Sequence, residues 1–241
     1  MTPRRRSLGA NTTIDEKVEH LVSLRHQSVD AWPTRDRILY EASRLIAARG
    51  FHGATTRDIA DGVGIRQPSV FNHFASKQDI LAELMVFDLT VPAERAEQLS
   101  FQAASPASRL YRYAAWDLRW YQQMPFDLRG MHEDLVNMPG MEEFQQALER
   151  WTKAIGRILD QGLAAGEFRA DAAPFVPAIL DTLSWEFVRS SHHHAENAAM
   201  LNTDDGAAFV LRGLLVDPES LTAVRREIDQ ADGQPSGGGV R

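Results

Sequence analysis

The chain contains no cysteine. A disulfide framework, a thiolate zinc site and a cysteine nucleophile are therefore closed to it, which removes several enzyme and zinc-finger classes at once. Long apolar runs are missing too. No stretch approaches the ~20 residues that span a bilayer, and no apolar segment follows the basic start MTPRRRSLGA. The expected setting is the cytoplasm, with no membrane partner. Strand patterning is also absent. Apolar residues recur three and four apart, and Ala, Leu, Glu, Arg and Gln fill the segments between Gly and Pro breaks, so the expected fold is all-α. There is no HExxH, no Gly-rich phosphate loop and no nucleophile elbow, so no catalytic residue and no cofactor is assigned.

What the chain does have is an uneven charge. Its 241 residues, 44% hydrophobic and 24% charged, suit one large or two modest globular domains with a net charge of −7. Residues 1–80 carry 12 Lys+Arg against 9 Asp+Glu, a net of +3, while residues 81–241 carry 14 against 24, a net of −10. A basic module joined to an acidic body fits a phosphate-facing head, and chance asymmetry of surface charge is the alternative.

Helix signals run the length of the chain. Ile14, Val18, Leu21, Val22 and Val29 form a stripe behind a Thr13 cap with Glu16 three residues on, ending before Trp32-Pro33. The next helix is predicted over 34–49, burying Ile38, Leu39, Ala42, Leu45 and Ile46 and stopping at Gly50. In TTRDIADGVGIRQPSVFNHFASKQDIL, residues 55–81, three short helices are expected. Thr55 with Asp58 caps the first, Gly64 gives the sharp turn, Gln67-Pro68 starts the second and Ser76 with Asp79 caps the third. Val70, Phe71 and Phe74 are expected to face inward. Further helices are expected near 105–123, 140–165, 172–194, 204–215 and 218–230, and the tail QPSGGGVR is too polar to offset its ordering entropy.

A helix, a tight glycine turn and a second helix make either a structural corner or a reader that fits a major groove about 12 Å wide. The residue types favour the reader. Gln67, Ser69, Asn72 and His73 lie between the buried positions, and Arg57, Arg66 and Lys77 flank them.

The stretch ARGFHGATTRDIADGVGIRQPSVFNHFASKQDIL resembles the DNA-binding signature of the tetracycline-repressor-like (TetR) family of bacterial regulators. The likeness covers about residues 34–84 without insertion: the Gly-Phe after the first helix, the Thr-Thr pair, the Gly-Ile corner and the aromatic–x–His–Phe ending. GLAAGEFRAD, residues 162–171, resembles the junction before the family's paired C-terminal helices. The resemblance implies an N-terminal extension (1–33), a helix-turn-helix domain (34–82), a larger helical ligand-binding and dimerisation domain (83–232) and a tail (233–241). It implies a regulator, by family habit a repressor, that binds a palindromic double-stranded DNA operator as a homodimer and is released by a small-molecule effector.

Position by position, the resemblance makes Thr55 and Thr56 caps or backbone contacts and Arg57 a base contact. Gln67, Ser69 and Asn72 fall on the reading face, with Arg66 beside them; His73 and Lys77 hold phosphates, or His73 packs the corner. Phe71 stands where the family commonly has Tyr, so a phosphate hydrogen bond is lost and packing, with a thymine-methyl contact, is left. Arg4, Arg5 and Arg6 read either as a charged tail or as a minor-groove arm.

For the effector, the aromatic concentration at Trp116, Trp120, Tyr121, Phe126, Met131, Met138, Trp151 and Trp185 suggests a lipophilic or planar molecule, although such residues also build cores. Arg129, His132 and Glu133, in PFDLRGMHEDLVNMP, read as a solvated face or as groups orienting a polar or anionic end of the ligand. Phe175, Ile179, Leu183 and Phe187 fit one apolar seam for the dimer. His192, His193 and His194 invite a metal reading, but consecutive helical residues point about 100° apart and cannot converge on one ion, so no metal is assigned. The rival function is a helical adaptor that uses the same scaffold for protein contacts; an uncharacterised enzyme has little in the sequence to support it.

Overall fold

The computed structural model describes residues 13–128, 141–193 and 201–232, and in these every regular element is helical. Arg4 to Arg6, Arg129, Met131, His132, Glu133, Met138 and His194 lie outside the described residues.

α1 (Ile14–Arg25) opens on the expected reciprocal cap, with Thr13 Oγ1 accepting from the Glu16 amide and the Glu16 carboxylate accepting from the Thr13 amide. It buries Ile14, Leu21, Leu24 and the stem of Lys17, whose Nζ lies 3.8 Å from Glu94. α2 (Thr34–Gly53) carries Ile38, Leu39, Ala42 and Ile46 into the core and is broken one turn from its end by Gly50, at φ 72°. α3 (Thr56–Val63) and α4 (Gln67–Val70) meet at Gly64. Gly64 sits at φ 74°, a left-handed conformation that costs any residue with a Cβ, and it closes α3 by donating to Ala60 and Asp61.

α5 (Lys77–Met85) starts at the Ser76 cap. It continues through a π-helical turn at Val86–Thr90 into α6 (Val91–Ser100). Pro92 explains the wider turn, because a proline inside a helix has no N–H to donate and its ring crowds the carbonyl one turn back. The released carbonyls find partners on the next long helix, α7 (Pro106–Gln123): Trp120 Nε1 donates to Phe87 O at 2.9 Å and the Tyr121 hydroxyl donates to Asp88 O. α7 is the spine of the body. Against it pack α8 (Glu142–Ala164, which also lies along α6), α9 (Val176–His193), α10 (Thr203–Leu214) and α11 (Leu221–Asp232).

One apolar cluster runs from Ile14 through Ile38, Ile59 and Phe74 to Phe87, Trp120, Phe126 and Phe144, so the head has no core separate from the upper body. A second, centred on Leu110, Tyr113, Ile155, Ile158 and Leu211, fills the lower body. The junction at residues 162–171 is tight. A Cβ on Gly162 would lie 2.0 Å from the Phe168 ring, and Phe168 pairs with Leu215 in an isolated antiparallel bridge.

Candidate DNA-binding surface and effector cavity

The corner at residues 55–77 sorts its side chains by the geometry of α3 and α4. Ile59, Ala60, Val63, Val70 and Phe74 point into the core, which turns Arg57, Arg66, Gln67, Asn72 and His73 to solvent. Thr55 caps α3: its Oγ1 accepts from the Asp58 amide, and Asp58 accepts from the Thr55 amide and hydroxyl, which holds the Asp58 carboxyl below the ordinary carboxylate range. Gln67 Nε2 donates to Thr56 Oγ1 at 2.9 Å and so fixes the start of α4 against the start of α3. Ser69 is half-buried beside them. The corner is bolted from behind by Arg35, which pairs with Glu83, donates to His73 O and lies 4.0 Å from the Phe74 ring centroid.

Two expectations at this corner need correction. Phe71 does not face inward; it is 48% exposed, because Val70 and Phe74, four residues apart, occupy the inward face and leave Phe71 rotated out of it. Lys77 does not stand ready for a phosphate. Its Nζ donates to Phe51 O and Ala54 O, each at 2.7 Å, and sits 4.1 Å over the Phe51 ring, closing the carbonyl end of α2. Burial against these groups lowers the Lys77 pKa.

In the body, a cavity of about 320 Å³ opens between the helices. Leu89 and Pro92 form its wall on the continuous helix, Tyr113, Asp117 and Tyr121 on α7, Leu148 and Trp151 on α8, and Pro177, Ala178, Asp181 and Ser184 on α9. Asp117, only 4% exposed, is the hub. Its two oxygens accept from the Tyr113 hydroxyl at 3.0 Å and the Ser184 hydroxyl at 2.7 Å, while Trp151 Nε1 donates to the Tyr113 oxygen. Desolvation outweighs these hydrogen bonds and pushes the Asp117 carboxyl up to about 7.

Of the aromatic residues expected to bind an effector, Tyr121 and Trp151 line this cavity. The others sit elsewhere. Trp120 is buried as the partner of the Phe87 carbonyl, Phe126 packs on Phe87 with centroids 5.4 Å apart, and Trp116 stacks on Trp120 at 5.6 Å. Trp185 is half-buried against the upper core. Sequence reading missed Tyr113, Asp117, Asp181 and Ser184, yet a signal existed: Tyr113, Asp117 and Tyr121 recur every four residues, a stripe of hydroxyls and a carboxyl down one face of α7.

The dimer seam divides as well. Phe175 is 63% and Ile179 37% exposed, Leu183 is half-buried, and Phe187, at 3%, packs inside the chain near Gly206. Phe209 and Val216, 67% and 59% exposed, were not anticipated. No group of three or more His, Asp or Glu that could hold a metal occurs among the described residues, and no helix among them is long and apolar enough to cross a membrane.

Comparison with known proteins places this architecture. Residues 38–84 match the family model for bacterial regulatory proteins of the tetR family. The transcriptional repressor KstR2 of Mycobacterium tuberculosis is 27% identical over 159 residues, 64% of this chain and 80% of that one. KstR2 of Mycolicibacterium smegmatis is 29% identical over 161 residues, 64% and 78% of the two chains. Among solved structures, AmtR of Mycobacterium smegmatis superposes with a TM-score of 0.67 at 24% identity, covering 85% of this chain and 97% of AmtR. The ketosteroid transcriptional regulator KstR2 of M. tuberculosis gives 0.62 at 24% identity over 77% and 96%. Residues 38–84 thus match the DNA-binding module of tetR-family bacterial regulatory proteins in sequence, and head and body together share the fold of AmtR and KstR2.

Proposed function

We propose that the chain is a repressor that binds a palindromic operator as a homodimer and lets go when a small molecule enters the body. The carrying observation is the sorting at the corner: five polar or basic side chains, Arg57, Arg66, Gln67, Asn72 and His73, stand outward on a scaffold whose inner face is wholly buried. Such groups on a helix that fits the major groove contact base edges and phosphates. Exposed Phe71 adds an apolar surface suited to a thymine methyl. Two corners must be presented about 34–36 Å apart, and the exposed Phe175, Ile179 and Phe209 on and beside α9 and α10 supply the face for a four-helix contact between copies.

The cavity is the effector site in this reading. Its wall includes Leu89 and Pro92, which belong to the same unbroken helix whose first turns hold the corner. A ligand that favours one position of that helix shifts the spacing of the two corners and hence DNA affinity, typically by 1–3 kcal/mol of coupling. The chain acts in this way without catalysis, in the cytoplasm where its operator is. The test is a gel shift with the gene's own upstream DNA over a salt series. Affinity falling steeply and linearly in log salt is expected. An adaptor or an enzyme gives no shift.

A further inference from the structure

We propose, resting on the reading of the cavity as the effector site, that it is built for an organic cation: an amine or ammonium set against Asp117 and Asp181, with its ring on Trp151. The charge of the lining is one-sided. Among the described residues the cavity wall includes two carboxylates, from α7 and α9, and no Lys, Arg or His. Asp117 is buried, and both of its hydrogen-bond donors, Tyr113 and Ser184, are neutral hydroxyls that leave its charge uncompensated.

The energetics follow from that arrangement. Asp88 and Asp181 repel the Asp117 charge and add to the desolvation that raises its pKa, while Tyr113 and Tyr121 are held well above 10 and remain neutral. An anion entering this space would lose its hydration and meet like charge. A neutral ligand would further desolvate Asp117 without a counter-charge. A cation supplies the missing partner, and the rings of Trp151 and Tyr121 in the wall add the attraction of aromatic groups for cations. The volume of about 320 Å³ holds a molecule of two or so rings.

Isothermal titration of the full chain at pH 7.5 with three probes of one shape, 4-biphenylmethylamine, 4-biphenylmethanol and 4-biphenylcarboxylate, tests this. The amine is expected to bind at least about tenfold tighter than the alcohol, a difference of about 1.4 kcal/mol. The carboxylate is expected to bind weakest. Asp181→Asn, at an exposed position, and the isosteric Asp117→Asn should each weaken the amine without weakening the alcohol, with helical circular dichroism retained. A carboxylate that binds as well as the amine, or an amine preference that survives both substitutions, overturns the inference. If alcohol and carboxylate bind as tightly as the amine and Ala178→Trp blocks all three, the effector site stands while the cation assignment falls. Silence from all three probes removes both.

Discussion

At the corner proposed to face DNA the exposed side chains point outward, whereas around the cavity four polar side chains bond to one another. Arg57, Arg66, Asn72 and His73 are exposed and await partners from outside, while Asp117, Tyr113, Ser184 and Trp151 form a closed chain of hydrogen bonds between α7, α8 and α9. The difference matches two kinds of recognition. A polyanion with its own shell of counterions is met by a solvated, rigid surface, and affinity comes from releasing those ions. A small molecule is met by groups already desolvated and oriented, so its charge and shape decide.

The comparison can be broken at either end, beginning with the largest effect. Phe74→Ala removes the ring on which Arg35 lies and empties the core beneath the corner; a loss of about 3–5 kcal/mol in stability is expected, read by thermal melting, with DNA binding lost for every sequence. At the cavity end, burial raises Asp117 from the ordinary 3.8 to about 7, so the folded chain keeps a proton that the unfolded chain releases between those values. Its contribution therefore turns against folding as pH rises from about 4 to 7 and stays unfavourable above. Asp117→Asn should gain in melting temperature relative to the unsubstituted chain between pH 5 and 8; a constant difference would mean the carboxyl titrates normally.

Smaller effects sharpen the picture. Arg57→Ala is expected to cost about 1–3 kcal/mol per half-site and to relax preference at one base pair, measured by competition with single-base operator variants. Equal losses on all sequences would assign Arg57 to phosphate instead. Trp120→Phe leaves the Phe87 carbonyl without its donor in the core, at about 1–3 kcal/mol by denaturant titration, with little change in DNA preference. Smallest is Lys77→Ala, at about 1 kcal/mol from the lost carbonyl contacts. Its salt slope for DNA binding should match that of the unsubstituted chain, since the ammonium is turned inward.

The corner was legible in sequence because its determinants are local. Thr55 and Asp58, Ser76 and Asp79, and Gly64 act within four residues of themselves, and each adopts the expected cap or turn. Phe71 and Lys77 were misread because their orientation depends on what lies across the corner: the inward face is already filled by Val70 and Phe74, and the end of α2 presents two carbonyls to Lys77. In the body, helix positions were legible to within a few residues, but the cavity was not. Which aromatic residue packs and which faces open space is set by contacts between α7, α8 and α9, so Trp120 and Phe126 went to the core and Tyr113 to the wall. The helix through Pro92 was also invisible, because its freed carbonyls are satisfied by residues some thirty positions away.

The absence of cysteine permits the most direct test of the central claim, that the outer face of the corner enters duplex DNA. A single cysteine at exposed Ala75, carrying an iron–EDTA group, should cut operator DNA in two clusters about one helical turn apart. The same group at exposed Asp160, on α8, should leave the DNA intact. Cutting from Asp160 but not from Ala75, with DNA bound in both cases, would contradict the account.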